Sequence, residues 1–119
     1  MKNFFLLVFI FTSLTYAKNE RNDNIQNCTD VDISIIFDRY AEDISWKIED
    51  NDGKVMISGG NYSHASPNVS KSICLEDGEY TFIINDSYGD GLCCRYGNGS
   101  YAVKLDGKTL VSGSTFTSL

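Results

Sequence analysis

Apolar residues recur at every second position in one short segment after another, and no segment has the i, i+3, i+4 spacing of an amphipathic helix. Val31, Ile33, Ile35 and Phe37 alternate with Asp32, Ser34 and Ile36. Ile44, Trp46 and Ile48 alternate with Ser45, Lys47 and Glu49, and Tyr101, Val103 and Leu105 follow the same rule. Alternation of this kind puts one set of side chains on one face of a strand. Turn-forming residues punctuate the segments: Asp52-Gly53, with the chemistry of a type I′ hairpin, then Gly59-Gly60 and Asp106-Gly107. The pattern predicts strands over 31–37, 44–49, 55–58, 80–84, 101–105 and 109–112, shorter ones over 71–75 and 115–117, and a loop over 61–70. About seven or eight short strands with regular turns predict an all-β chain, an antiparallel β-sandwich of jelly-roll type. Trp46, Phe37, Phe82 and Tyr101 fall on inward positions and are expected in its core.

Part of the pattern is repeated. DGKVMISGGNY at 52–62 matches DGKTLVSGSTF at 106–116 without a gap, and IIFDRYAE at 35–42 parallels IINDSYGD at 83–90. Each half reads strand, acidic loop, aromatic-bearing strand, Asp-Gly-Lys hairpin and strand. The second loop carries an insertion, 91–99, with two adjacent cysteines. Two three-strand units are expected to face each other with pseudo-symmetry, their acidic loops converging at one end.

The first seventeen residues read as an export signal: Lys2, an unbroken apolar run over 4–11, and a small-residue site ending at Ala17. They are expected to be removed and to lie outside the fold. A polar tail over 18–29 and one domain over 30–119 would remain, secreted and without a membrane span. Loss of Lys2 takes the formal charge from −6 to about −7, and no basic cluster exists anywhere, which argues against nucleic acid and anionic membrane as partners.

Four cysteines, Cys28, Cys74, Cys93 and Cys94, imply two disulfides in an oxidising compartment. Neighbouring strand residues point to opposite faces, so Cys93 and Cys94 are expected to bridge separately to Cys28 and Cys74. Closure on each other is the alternative. Five Asn-x-Ser/Thr sequons are present, and Asn61 and Asn68, in the longest loop, are the expected glycosylation sites.

The repeat sets four carboxylates in two equivalent loops: Asp38 and Glu42 in one, Asp86 and Asp90 in the other. Calcium takes six to eight oxygens on flexible loops, so these residues, with Ser87 and backbone carbonyls freed by Gly89, are a candidate Ca²⁺ site. The competing reading has the aspartates capping their own backbone amides in turns. Tyr40 and Tyr88 occupy equivalent loop positions. They either plug the sandwich end or, exposed beside the acidic loops, stack on a sugar ring. Catalysis has little support: His64 is the only histidine, and no nucleophile elbow or triad order is present. Zinc is disfavoured for the same shortage of ligands.

The stretch LEDGEYTFIINDSYGDGLCCRYGNGSYAVKLDGKTLVSGSTF resembles a secreted cysteine-containing module whose core reads C-L-x-x-G-x-Y-T-F-x-I-x-D-S-Y-G-D-G-I-C-C-x-Y-G-x-G-S-Y. DRYAEDISWKIEDNDGKVMISGG resembles its upstream part, D-x-Y-P-x-E-T-S-W-x-I-x-D. Such modules occur singly, in tandem or attached to secreted peptidases of algae and other microbial eukaryotes. The resemblance implies an accessory role in adhesion or binding, without chemistry of its own. Ala41 stands where the module has proline, and Glu79 where a cysteine is often found. The expected function is therefore a secreted binding module for glycan or an extracellular protein, with Ca²⁺ ordering its loops. The alternatives are a self-associating component of a wall, coat or matrix, and a small secreted inhibitor or effector.

Overall fold

The computed structural model describes residues 3–11, 28–89, 91–94 and 96–114, with the backbone alone for 3–6 and 11. The chain forms strands β1 (Asn3–Phe11), β2 (Thr29–Ile36), β3 (Ile44–Asp50), β4 (Val55–Gly59), β5 (Asn68–Leu75), β6 (Gly78–Asp86), β7 (Cys93–Cys94), β8 (Gly97–Asn98), β9 (Ser100–Leu105) and β10 (Lys108–Gly113). One 3₁₀ turn, Ala41–Asp43, precedes β3, and no α-helix occurs among the described residues. Every pairing is antiparallel, in two four-stranded sheets ordered β1-β6-β3-β4 and β10-β9-β2-β5, with β7-β8 as a small separate hairpin. The sheets share one core, so the expected antiparallel sandwich is what the chain forms; its strand order does not establish a jelly roll.

The alternating residues make that core. Val31, Ile33 and Ile35 of β2 and Tyr101 and Val103 of β9 are buried from one sheet, and Ile44, Trp46, Ile48, Phe82 and Ile84 from the other. Phe82 lies at the centre, its ring centroid 6.4 Å from Trp46 in its own sheet and 6.3 Å from Tyr101 across the interface. Each such side chain contributes roughly 1.5–3 kcal/mol by leaving water. Phe37 is also buried, as its inward position predicts.

The repeat is built into the topology in an unexpected way. The two halves do not fold as separate blocks. β2, from the first half, pairs with β9 of the second, and β6, from the second half, pairs with β3 of the first. Read from corresponding edges, the sheets run β1-β6-β3-β4 and β5-β2-β9-β10. Each half thus lends its leading strand to the other half's hairpin. The two hairpins match in detail. Gly59 pairs with Trp46 and Gly113 with Tyr101. A Cβ on Gly113 would lie 2.9 Å from the Tyr101 hydroxyl, and one on Gly59 would run into the Trp46 indole at 2.5 Å. The repeated Ser-Gly therefore leaves room for an aromatic side chain from the strand alongside. The turns differ. Asp106 and Gly107 both have positive φ, 47° and 81°, as a two-residue type I′ turn requires. The first hairpin closes instead with Asp50 N–H on the Lys54 carbonyl and with positive φ at Gly53. That is a three-residue loop, in place of the expected I′ turn at Asp52-Gly53, and the Asp50 carboxylate secures it by accepting the Asp52 and Lys54 amides.

The structure differs from expectation in three places. In the full, uncleaved chain residues 3–11, the apolar run of the expected export signal, form β1 and pair with β6 from Asn3↔Asp86 to Phe11↔Gly78. The physical reason is that a run rich in Phe, Val and Ile is a good strand former, and the outer edge of β6 has backbone groups to satisfy. Phe9 is buried against Tyr80 with ring centroids 6.0 Å apart, whereas Val8 and Ile10 face outward and stay exposed. Second, β5 begins at Asn68, so that residue opens a strand instead of lying within a loop. Third, the disulfides are Cys28–Cys74 and Cys93–Cys94. Cys28 sits just ahead of β2 and Cys74 near the end of β5, on strands that already pair, so they meet without the loop. Cys93 and Cys94 form a two-residue strand in a tight hairpin, where the alternation expected of a longer strand does not develop. The last predicted strand, 115–117, and Ala17 lie outside the described residues.

The Cys28–Cys74 bridge closes the long loop, 46 residues apart in sequence, and the vicinal bridge closes almost none. Replacing Cys28 and Cys74 together by serine is expected to cost about 2–4 kcal/mol of unfolding free energy in urea titration. A loss below about 1 kcal/mol would mean that β2 and β5 hold their register without the bridge.

Candidate functional site

Two crossings between the sheets, β2 to β3 and β6 to β9, carry the repeated acidic loops, and both are shaped by an aspartate. Asp38 Oδ1 accepts the Tyr40 amide N–H at 2.9 Å, and Asp86 Oδ1 accepts the Tyr88 amide N–H at the same distance. Asp86 Oδ2 also accepts the Gly91 N–H at 2.6 Å. Both aspartates are buried, Asp86 completely. The backbone follows them: Gly89 and Gly91 take positive φ, 92° and 72°, where a side chain would be strained.

The crossings are tied to each other. The Arg39 N–H donates to the Tyr96 carbonyl at 3.0 Å, and the Ser87 N–H to the Asp43 carbonyl at 2.9 Å. The Ser87 hydroxyl donates to Asp43 Oδ1 at 3.3 Å. The β7-β8 insertion folds back on the first crossing so closely that a Cβ on Gly99 would lie 2.5 Å from the Ile36 carbonyl oxygen. The Leu92 N–H on the Ser114 carbonyl and the Gly99 N–H on the Leu92 carbonyl complete the anchoring. The inserted loop is therefore held by backbone hydrogen bonds and close packing, with its disulfide internal to it.

This arrangement brings three tyrosine rings together. Tyr40 meets Tyr96 edge to face, centroids 5.0 Å apart at 88°, and Tyr88 meets Tyr96 at 6.5 Å and 83°. With Asp43 they line a cavity of about 120 Å³. Tyr88 is 68% exposed and Tyr40 36%, so neither is a core plug. A second hollow of about 320 Å³ adjoins it through Asp43 and is lined also by Glu42, Ile44, Ser45, Asn61, Asn85 and Ser87. Asn61 is exposed here, so a glycan on it would stand at the rim of this hollow, while Asn68 lies exposed at the start of β5.

The carboxylates expected to hold calcium are partly reunited. Asp38 and Asp86 come to the same end, close enough for the charge on Asp86 to act on Asp38. Their oxygens accept backbone amides, as the competing reading anticipated. Glu42 is instead engaged by His64, whose Nδ1 donates to Glu42 Oε1 at 2.8 Å. That bond holds the Glu42 carboxyl below its usual range. The Ser87 hydroxyl is turned to Asp43, Gly89 shapes the backbone, and Asp90 lies outside the described residues. Among the described residues no group of three or more His, Cys, Asp or Glu is placed to hold a metal ion.

Sequence reasoning missed Asp43, Tyr96 and His64 as members of this end. Asp43 follows the first repeat unit's acidic loop, and Tyr96 lies in the insertion, which has no counterpart in the first half. His64, noted in the sequence only as the sole histidine, packs edge-on against Tyr40 at 5.5 Å and pairs with Glu42.

No family model matches the chain, and no match was found among curated proteins or solved structures.

Burial, and then the neighbouring carboxylates, hold Asp38 and Asp43 above the ordinary carboxylate range. The folded protein therefore keeps these protons more tightly than the unfolded chain, so both groups withdraw stability as pH rises from that range. Asp43→Asn is expected to raise stability at neutral pH by on the order of 0.5 kcal/mol and to flatten its pH dependence above the ordinary aspartate range. A variant less stable than the parent at neutral pH would contradict this.

Asp86→Asn replaces one of two amide-accepting oxygens by a donor. It should cost about 2 kcal/mol in urea titration with EDTA present. Unchanged stability in EDTA, with a loss appearing only when calcium is added, would show that the carboxylate serves a metal instead.

Proposed function

We propose that this chain is an exported, non-catalytic binding module whose contact surface is the tyrosine-lined end of the sandwich, and that its ligand is a glycan. The observation that carries the reading is the meeting of Tyr40, Tyr88 and Tyr96 around one open cavity, with a hollow beside it that offers hydroxyls, amides and carboxylates. Aromatic faces pack on the C–H face of a sugar ring, and the polar hollow offers hydrogen bonds to its hydroxyls. The loops that present the rings are pinned by buried aspartates, so little ordering remains to oppose binding. Two disulfides, a run suited to an export signal and the sequons agree with an extracellular setting.

Calcium belongs to the same proposal in a reduced form. The acidic end attracts cations, yet Asp38 and Asp86 are taken up by backbone amides and Glu42 by His64, so the reading does not route recognition through a metal. A glycan array with protein free of N-glycans is the test. Tyr88→Ala and Tyr96→Ala should each weaken the best ligand about tenfold, roughly 1.4 kcal/mol, with binding unchanged by EDTA. Retained affinity in both variants would remove the tyrosine surface, and loss on chelation would restore calcium.

One observation favours a second reading, self-association. β1 demonstrates that the outer edge of β6 takes up an apolar strand. Export cleavage would vacate that edge, and an unpaired strand edge is a template for a second copy. Light scattering on the cleaved protein, with rising concentration, should then report dimers; a monomer throughout would exclude it.

A further inference from the structure

We propose that the cavity between Tyr40, Tyr88 and Tyr96 recognises the ammonium group of an amino sugar, with the remainder of a glucosamine-type oligomer lying along the adjoining polar hollow. The inference rests on the glycan reading above and sharpens it to one chemical class.

Tyr40 and Tyr88 each stand nearly perpendicular to Tyr96, so the rings wall the cavity on different sides instead of stacking as a single platform. Phenol faces are electron-rich, and they attract an ammonium ion and the polarised C–H bonds next to it. Neutral sugars gain from the C–H contacts alone. The remaining wall is Asp43, an anion, and no described lysine or arginine lines either cavity.

Asp43 is also poorly compensated among the described residues. Its nearest described polar partner is the neutral Ser87 hydroxyl, and Asp86 and Glu42 add negative charge around it. Glu42 has His64, and Asp86 has the amides of Tyr88 and Gly91. A ligand cation beside Asp43 would relieve repulsion that nothing else among the described contacts relieves.

The second hollow decides the kind of ammonium. A small quaternary ammonium ion would fill the aromatic cavity and leave the neighbouring space unused. The hollow shares Asp43 with the cavity and, beside the Glu42 carboxylate and Ile44, presents Ser45, Asn61, Asn85 and Ser87, side chains that both donate and accept hydrogen bonds. That inventory matches hydroxyl groups. A chain of amino sugars would set an ammonium at Asp43 and its hydroxyls along the amides.

Calorimetric titration of the full chain, free of N-glycans, tests this with three probes in buffer that keeps the amine protonated: a glucosamine oligomer, the N-acetylglucosamine oligomer of equal length, and tetramethylammonium. The glucosamine oligomer should bind about tenfold or more tightly than its acetylated partner, and added salt should shrink the difference. Asp43→Asn, which keeps an oxygen for the Ser87 hydroxyl, should bring the two oligomers to within about two- to threefold of each other while the melting temperature does not fall. Tyr88→Ala, at an exposed position, should weaken both. Equal binding of the two oligomers with tyrosine dependence intact would overturn the ammonium inference and leave the glycan reading standing. A preference that survives Asp43→Asn would also overturn it. Tetramethylammonium binding as tightly as the glucosamine oligomer would replace it with a quaternary-ammonium cage. Failure of every glycan probe, here and on the array, would remove both readings.

Discussion

Two buried aspartates, each accepting the amide of the tyrosine two residues further on, turn the chain out of one sheet and into the other. Asp38 does this just after β2 and Asp86 as the last residue of β6. Because the strand before each turn belongs to one sheet and the hairpin after it to the other, the two halves of the molecule interlock. A carboxylate suits the task. It is compact and accepts several amide N–H groups at once, and each charge-assisted bond is stronger than a neutral one. The cost is a cluster of carboxylates at one end of the sandwich, where burial first and then the neighbouring like charges raise the proton affinity of Asp38 and Asp43.

The same geometry produces the exposed surface. A tight aspartate turn throws the side chain two positions later outward, and in both halves that residue is a tyrosine. The β7-β8 insertion adds the third ring, Tyr96, and is held against the first crossing by glycines that tolerate close backbone approach. Acidity and aromatic character at this end therefore share one origin in the turn chemistry. The binding proposal uses both: the rings for a sugar face, and the Asp43 carboxylate, which has only the neutral Ser87 hydroxyl among the described contacts, for a positive charge.

Much of the fold was legible because its signals are local. Alternation over 31–37, 44–49 and 80–84 marks strands whose inward residues, Ile33, Trp46 and Phe82 among them, are buried as expected. The repeat was legible too, down to Asp38 and Asp86 as equivalent residues. What could not be read was long-range. Periodicity does not say that β2 pairs with β9 and not with its own hairpin, since both would bury the same face. The vicinal Cys93–Cys94 bridge escaped a rule that holds for regular strands and fails in a two-residue one. Tyr96 and Asp43 carry no sequence signal of their own; they become site residues only once the insertion packs on the first crossing. The N-terminal run illustrates a different limit. Its composition serves both an export signal and a strand, and in this structure its residues 3–11 are the edge strand beside β6, the place that β5 fills beside β2.

The central claim is that the halves interlock so that both aspartate turns meet at one end, and nuclear Overhauser contacts in the folded protein test it most directly. The account predicts ring contacts from Tyr96 to both Tyr40 and Tyr88, together with backbone contacts between Ile33 and Val103 and between Trp46 and Ile84. Backbone contacts of β2 with its own hairpin strand β3, and no contact linking Tyr96 to the other two rings, would contradict it.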